Sequence, residues 1–179
     1  MKTLILSLIL FSISFSQSNK TTFSVVDSLV RPADNTPYTA GDAINDTLTA
    51  TKVLVFDIPG SVAGSGEITE MYVMTDTSNS QAIRIHLYTD STNIERTADN
   101  SAISFLGTVG RIGRKLGYAA VTVAGYVAAN GGYGQATGLG IPFRFTSTTN
   151  KIYGVVEDAT AFTPKINGKY YFLLKGYRF

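Results

Sequence analysis

His86 is the chain's only histidine and there is no cysteine, so the side chains that most often carry metal, nucleophilic or proton-transfer chemistry are nearly missing. A catalytic imidazole needs a partner within hydrogen-bond reach, and zinc needs several nitrogen or sulfur ligands. Neither lies near His86 in sequence, which reads as an ordinary surface or interface residue beside Arg84 and Tyr88. Asp34, Asp42 and Asp46, with Asn35 and Asn45, gather oxygen ligands of the kind Ca²⁺ accepts. Their spacing follows no EF-hand order, and loop Asp and Asn commonly bond backbone amides, so they form only a weak calcium candidate. Gly107 to Lys115 superficially suggests a phosphate loop but lacks the Gly-Lys-Ser/Thr ending that such chemistry requires. Its basic residues Arg111, Arg114 and Lys115 fit a turn or a rim meeting an acidic neighbour. No catalytic or cofactor-binding residue is assigned, and no cofactor is expected.

The elements that hold these residues read as β throughout. Period-2 runs bounded by Gly, Pro, Asn and Ser recur from about residue 21, and no window shows a helical period. In Ala82 to Tyr88, Ile83, Ile85 and Leu87 share one face while Arg84, His86 and Tyr88 share the other. Val53 to Ile58 and Met71 to Met74 are apolar on both faces, which predicts central strands covered from both sides. Asn93 to Asn100 reads as a solvated loop and Ile103 to Val109 as a strand. Residues 110 to 141 are broken by glycine; a strand is expected near 119–124, followed by a long Gly-rich excursion. Tyr126 and Tyr133 lie in that excursion, where spaced tyrosines among small residues suit a contact loop. Phe143 to Thr146, Ile152 to Glu157 and Tyr170 to Lys175 complete about eight or nine strands. The expectation is an all-β fold, a single β-sandwich or jelly-roll domain over 17–179 with long Gly-rich loops.

Composition narrows the function classes. A chain of 179 residues suits one domain. Charged residues are 16%, and the formal net charge of +2 is too small to drive nucleic-acid binding through counterion release. Residues 1–16 carry one lysine, an apolar run and then small residues, the layout of a signal peptide cleaved near Ser16-Gln17. The run is shorter than the roughly 20 residues a spanning helix needs. The other reading is an N-terminal hydrophobic arm, and membrane contact is expected only through this segment. Asn19-Lys20-Thr21 and Asn45-Asp46-Thr47 fit the glycosylation sequon.

The most specific stretch is Arg31-Pro32-Ala33-Asp34-Asn35-Thr36-Pro37-Tyr38-Thr39-Ala40-Gly41-Asp42. Two prolines fix φ, Gly41 supplies a positive φ, and Asp and Asn side chains cap turns, so it predicts a shaped crossing between two strands. The pattern Arg-Pro-Ala-Asp-x-Thr-x-Tyr-x-Ala-Gly-Asp resembles one found in small β-rich virion proteins of tailed bacteriophages and prophages, of the head fibre or decoration type. Gly66-Glu67-Ile68 entering a strand, and Ile152 to Val156 followed by Phe162-Thr163-Pro164, are similar to later parts of that family, extending the resemblance over about residues 20 to 179. It implies a non-enzymatic virion structural protein, a capsid or capsid-decorating component that assembles with copies of itself and other virion proteins. Arg31, Tyr38, Asp42, Arg111, Arg114, Lys115, Tyr126 and Tyr133 are the interface candidates. The signal-like N-terminus instead favours a secreted or surface β-sandwich, an adhesin or carbohydrate-binding module.

Overall fold

The computed structural model describes residues 19–46, 48, 52–61, 63–92, 94, 97–104, 115–126, 130–145 and 149–179. Among them there is no helix, and nine strands follow in chain order: β1 (Thr21–Val30), β2 (Ala43–Ile44), β3 (Leu54–Asp57), β4 (Gly64–Thr75), β5 (Gln81–Tyr88), β6 (Lys115–Tyr126), β7 (Gly131–Phe145), β8 (Lys151–Asp158) and β9 (Lys169–Arg178). They join in one antiparallel sheet of order β1-β9-β4-β7-β6-β5-β8-β2, with β3 also paired to β8. The sheet curls into a half-barrel.

Alternation decides what fills the concave side. Along β9, Tyr170, Phe172 and Leu174 are buried while Tyr171 faces solvent, as a strand with one covered face requires. Ile68 and Met71 on β4 are both buried although they are three positions apart, which in a regular strand would put them on opposite faces. The register shifts between Ile68 and Glu70 against both neighbours, and this bulge returns the strand to its inward phase. Phe172, Leu174, Ile68 and Val73 then pack in the same core as Phe56, Ile83, Ile85, Val121 and Ile152. A smaller cluster of Tyr88, Ile94, Tyr153 and Val155 lies apart from it.

The sheet bends where β6 passes to β7. Only Ala124 to Tyr126 pair with Gly131 to Tyr133. Beyond them a Cβ on Gly134 would lie 2.4 Å from the Thr122 carbonyl oxygen, so glycine is what lets the two strands stay close. At the opposite margin Asp27 reaches across from β1, its Oδ2 accepting a hydrogen bond from the Val55 amide at 2.6 Å. Lys52 Nζ adds a bond to the Ser28 carbonyl at 3.0 Å.

Several expectations change. The anticipated Gly-rich excursion after 124 is largely strand, because Gly131–Phe145 forms β7, 15 residues long. Val53 to Ile58 is not a central strand: β3 is four residues long, pairs with β8 alone and leaves Asp57 exposed. β4 does sit between two neighbours, β9 and β7, but Met74 faces solvent at 46% exposure, so it is not covered on both sides. Ile103 and Ser104 are not in a strand, and the rest of that expected strand lies outside the described residues. So do residues 1–16, Arg111 and Arg114.

Candidate functional site

The Arg31 to Asp46 crossing is built around a buried polar knot. Arg31 follows β1, and its amide donates to the Gly168 carbonyl at 2.9 Å. Its guanidinium turns inward and reaches Asp99, Nη2 to Oδ2, at 2.6 Å, with both side chains fully withdrawn from solvent. Arg31 Nε donates to the Tyr38 hydroxyl, and that hydroxyl donates to Asp99 Oδ1. The Asn45 amide donates to the same Oδ1 at 2.8 Å, while Arg31 Nη1 spans the Asp34 carbonyl at 3.2 Å and the Lys165 carbonyl at 3.3 Å. Burial works against the Arg31 charge, but the hydrogen bond and attraction from Asp99 outweigh it and raise the guanidinium further. Burial and the Asp99 carboxylate together hold the Tyr38 phenol far above its ordinary value.

The local chemistry of the motif makes this possible. Asp34 Oδ1 accepts from the Thr36 amide at 2.8 Å, an Asx turn. Asp42 Oδ2 accepts from the Thr39 amide at 2.6 Å and hydroxyl at 2.8 Å. Gly41 takes φ 100°, where a side chain would be strained, and its amide donates to the Asp158 carbonyl at 2.8 Å. Tyr38 pairs with Phe162 through a backbone bridge, their rings 5.0 Å apart.

A second polar group lies on β5 and β8. His86 is buried, its Nε2 2.5 Å from Glu157 Oε2, and Arg84 Nη1 lies 2.9 Å from Glu157 Oε1. Burial pushes the imidazole below its usual value, Lys115 and Arg84 push the same way, and Glu157 opposes them. Strand alternation correctly placed His86 with Arg84, yet the expectation of a surface residue fails: His86 is 4% exposed. Tyr88, expected on the same polar face, is covered by Ile94 and Tyr153 in the smaller apolar cluster.

A third group faces the core itself. Asp158 is completely buried, with Oδ1 accepting from the Thr160 amide at 3.2 Å and Oδ2 without a partner. Burial, then the nearby Asp42 and Glu157 charges, push its carboxyl up to about 7, against the Thr160 bond. Gln81 Nε2 is likewise buried and unpartnered, while its Oε1 accepts from the Tyr170 hydroxyl at 3.1 Å. Burial pushes that phenol up to about 12.

Set against the sequence expectations, Arg31, Tyr38 and Asp42 are interior residues whose polar atoms are used within the fold, so they offer no free surface to a neighbour. Asp34, Asp42 and Asp46 do not converge: the first two bond their own turns, Asp46 lies 3.5 Å from Lys52 Nζ, and among the described residues no three His, Cys, Asp or Glu side chains are grouped to hold a metal. Lys115 opens β6 partly buried, burial pushing its ammonium below the usual value. Tyr126 ends β6, and Tyr133 is exposed on β7. The sequon asparagine Asn45 is buried, with Nδ2 donating to the Thr97 carbonyl at 2.8 Å. Asp99, Glu157, Asp158 and Gln81 were not singled out by sequence reasoning. Asp99 in particular sits in the stretch expected to be a solvated loop. No protein-family model matches the chain, and no curated protein matches it.

Proposed function

We propose that this chain is a non-enzymatic virion structural protein, a capsid or capsid-decorating component that acts by binding copies of itself and other virion proteins. The observation that carries the reading is the fate of the motif. Of the residues that bear the resemblance, Arg31 and Tyr38 are used in a buried knot tying β1, the crossing and the segment at Asp99 together, and Asp42 closes the turn at Thr39. A motif used in this way specifies shape, which is what an assembling subunit needs from every copy. The curled sheet supports a rolled β-sandwich, with β1, β9, β4 and β7 on one side of the core and β6, β5, β8, β2 and β3 on the other. Residues 1–16 act as a signal or arm ahead of this domain.

Subunit contacts in this reading come from Lys115, Tyr133 and the loops at the strand ends. The test is electron cryomicroscopy of native particles with sedimentation of the purified protein. Ordered copies of this chain on a particle support the proposal. A monomer that never co-sediments with particles overturns it.

A further inference from the structure

β1 forms one margin of the sheet and pairs with β9 alone, in unbroken register from Thr21 opposite Arg178 to Val30 opposite Lys169. The phase of that ladder is set at its ends. The Arg31 amide donates to the Gly168 carbonyl at 2.9 Å, while on the other side of β9 the Phe179 amide donates to the Ser65 carbonyl at 3.0 Å and the Lys169 carbonyl accepts from the Asp76 amide at 3.2 Å. Even-numbered residues of β9 therefore bond toward β1 and odd-numbered ones toward β4. It follows that Phe23, Val25, Asp27 and Leu29 are the residues of β1 that exchange hydrogen bonds with β9, and that Thr22, Ser24, Val26 and Ser28 turn their backbone groups outward.

The fold covers one end of this outward row. The Ser28 amide donates to Asp27 Oδ1 at 2.7 Å, its carbonyl accepts from Lys52 Nζ at 3.0 Å, and Asp27 Oδ2 accepts from the Val55 amide at 2.6 Å. Among the described residues nothing bonds the outward amides and carbonyls of Thr22, Ser24 and Val26. Val26 is 59% exposed, and even Val25, whose side chain turns toward the core, is only partly buried. Sheet edges are commonly blunted by proline, lysine or a bulge. β1 has no proline, lysine or arginine in its ten residues, and its ladder has no bulge.

What completes such a row is another strand, and the rest of the sheet decides which. The opposite margin is closed: β2 is two residues long, with the Ala43 amide bonded to the Ser101 carbonyl and its carbonyl to the Asn100 amide, both at 2.9 Å. β3 gives its Val55 amide to Asp27 and ends at the charged Asp57. At the bend β6 and β7 stay against each other, a Cβ on Gly117 lying 3.6 Å from Ile141. With no second open edge for head-to-tail stacking, β1 can meet only its own copy, and a surface that meets itself closes about a two-fold axis.

The free row is symmetric about Ser24. Antiparallel pairing there puts Thr22 opposite the partner's Val26 and Ser24 opposite the partner's Ser24, and each such pair exchanges two backbone hydrogen bonds. Between them Phe23 stands opposite the partner's Val25, an aromatic and β-branched pair of the kind that stabilises sheets. Asp27 falls opposite the partner's Thr21 and Lys20 opposite the partner's Ser28, so no like charges meet.

We propose that two copies of this chain join β1 to β1 about a two-fold axis at Ser24, making one continuous sheet across the dimer. This contact lies apart from Lys115 and Tyr133 and goes beyond the particle reading. The test is sedimentation velocity of the purified full chain over a concentration series, which is expected to show a dimer. Ser24→Pro removes an amide that the fold itself does not use, a change edge strands tolerate, and Ser24→Lys sets like charges face to face on the axis. Each is expected to weaken the dimer about tenfold or more while leaving the thermal melt of the monomer in place. Ser24→Cys, in a chain with no other cysteine, is expected to crosslink the dimer on oxidation, because a hydrogen-bonded antiparallel pair holds its Cα atoms about 5.5 Å apart, within disulfide reach. Tyr133→Lys, on β7, leaves the dimer intact. If Ser24→Pro does not fold, Ser24→Lys and Ser24→Cys decide. A monomer at every concentration, a dimer indifferent to the Ser24 substitutions, or open-ended fibres in place of a dimer overturns the proposal. A Ser24-dependent dimer that never co-sediments with particles upholds it and counts against the virion reading, so the two can fail separately.

Discussion

Asp99 and Asp158 are both withdrawn from solvent, at 3% and 0% exposure, yet their surroundings treat the same carboxyl group in opposite ways. Asp99 receives Arg31 Nη2, the Tyr38 hydroxyl and the Asn45 amide. Asp158 receives only the Thr160 amide, and the charges that bear on it, Asp42 and Glu157, have its own sign. Desolvation disfavours the charged form in both places. At Asp99 a guanidinium and two further donors offset that cost. At Asp158 the proton itself is the compensation. The motif therefore supplies a cation for one buried acid, and the neighbouring strand carries another without one.

The largest effect expected from breaking this contrast is at the knot. Asp99→Ala leaves the Arg31 guanidinium buried without its counter-ion, and losing one partner of a buried pair costs about 3–5 kcal/mol. Urea unfolding followed by tyrosine fluorescence measures it. Arg31→Met with Asp99→Leu removes both charges together and is expected to recover most of that loss, since the cost lies in the orphaned ion rather than in the missing attraction. A double variant as unstable as Asp99→Ala would show that the knot's geometry matters more than its charge balance.

This division also explains what was legible in the sequence. The crossing could be read from Pro32, Pro37 and Gly41 because φ restrictions and Asx turns act over a few residues. β5 was legible from Ile83, Ile85 and Leu87 because alternation is a local property. Asp99 was not, since it meets Arg31 across 68 positions and lies among polar residues that look solvated. The β7 strand was hidden by the glycines that the bend requires: Gly134 reads as a breaker, yet the Thr122 carbonyl leaves no room there for any side chain. His86 was placed on the right face of β5, but Glu157, which balances it, arrives from β8.

Asp158 carries the next effect, seen in pH dependence. An unfolded aspartate releases its proton near 3.8, whereas the folded one keeps it up to about 7. Between those values unfolding releases a proton, so this residue's stabilising contribution is complete below about pH 4, declines as pH rises and is flat above about 7. Burial of His86 gives the opposite slope: its imidazole resists protonation in the fold, so stability falls as pH drops below about 6.5. Asp158→Asn mimics the neutral acid. The wild-type-minus-variant curve from chemical unfolding should fall by on the order of 4 kcal/mol between about pH 4 and pH 7, since each pKa unit between the folded and unfolded acid corresponds to about 1.4 kcal/mol. A flat difference curve would mean that Asp158 is ionised in the fold despite its surroundings.

Tyr38→Phe sharpens the comparison from inside the knot. It removes one donor to Asp99 and one acceptor for Arg31 while keeping the ring against Phe162. With the ion pair intact, the expected loss is about 1–2 kcal/mol, below that of Asp99→Ala, and the midpoint of urea unfolding reports it. A loss equal to that of Asp99→Ala would make the phenol, rather than the guanidinium, the group on which the knot depends.

The smallest effect comes from moving the same chemistry to the surface. Lys151 and Asp57 form an ion pair at 3.1 Å across β8 and β3, with the aspartate side chain 67% exposed. Water already solvates both ends, so pairing replaces hydration without relieving any burial, and salt screens what attraction remains. Asp57→Ala should cost less than about 0.5 kcal/mol and lose even that at high salt, read from thermal melts at two ionic strengths. If it approached the cost of Asp99→Ala, the decisive variable could not be burial. It would instead be the anchoring of short β3 to β8, since this edge strand has only Leu54 to Asp57 with which to hold its register.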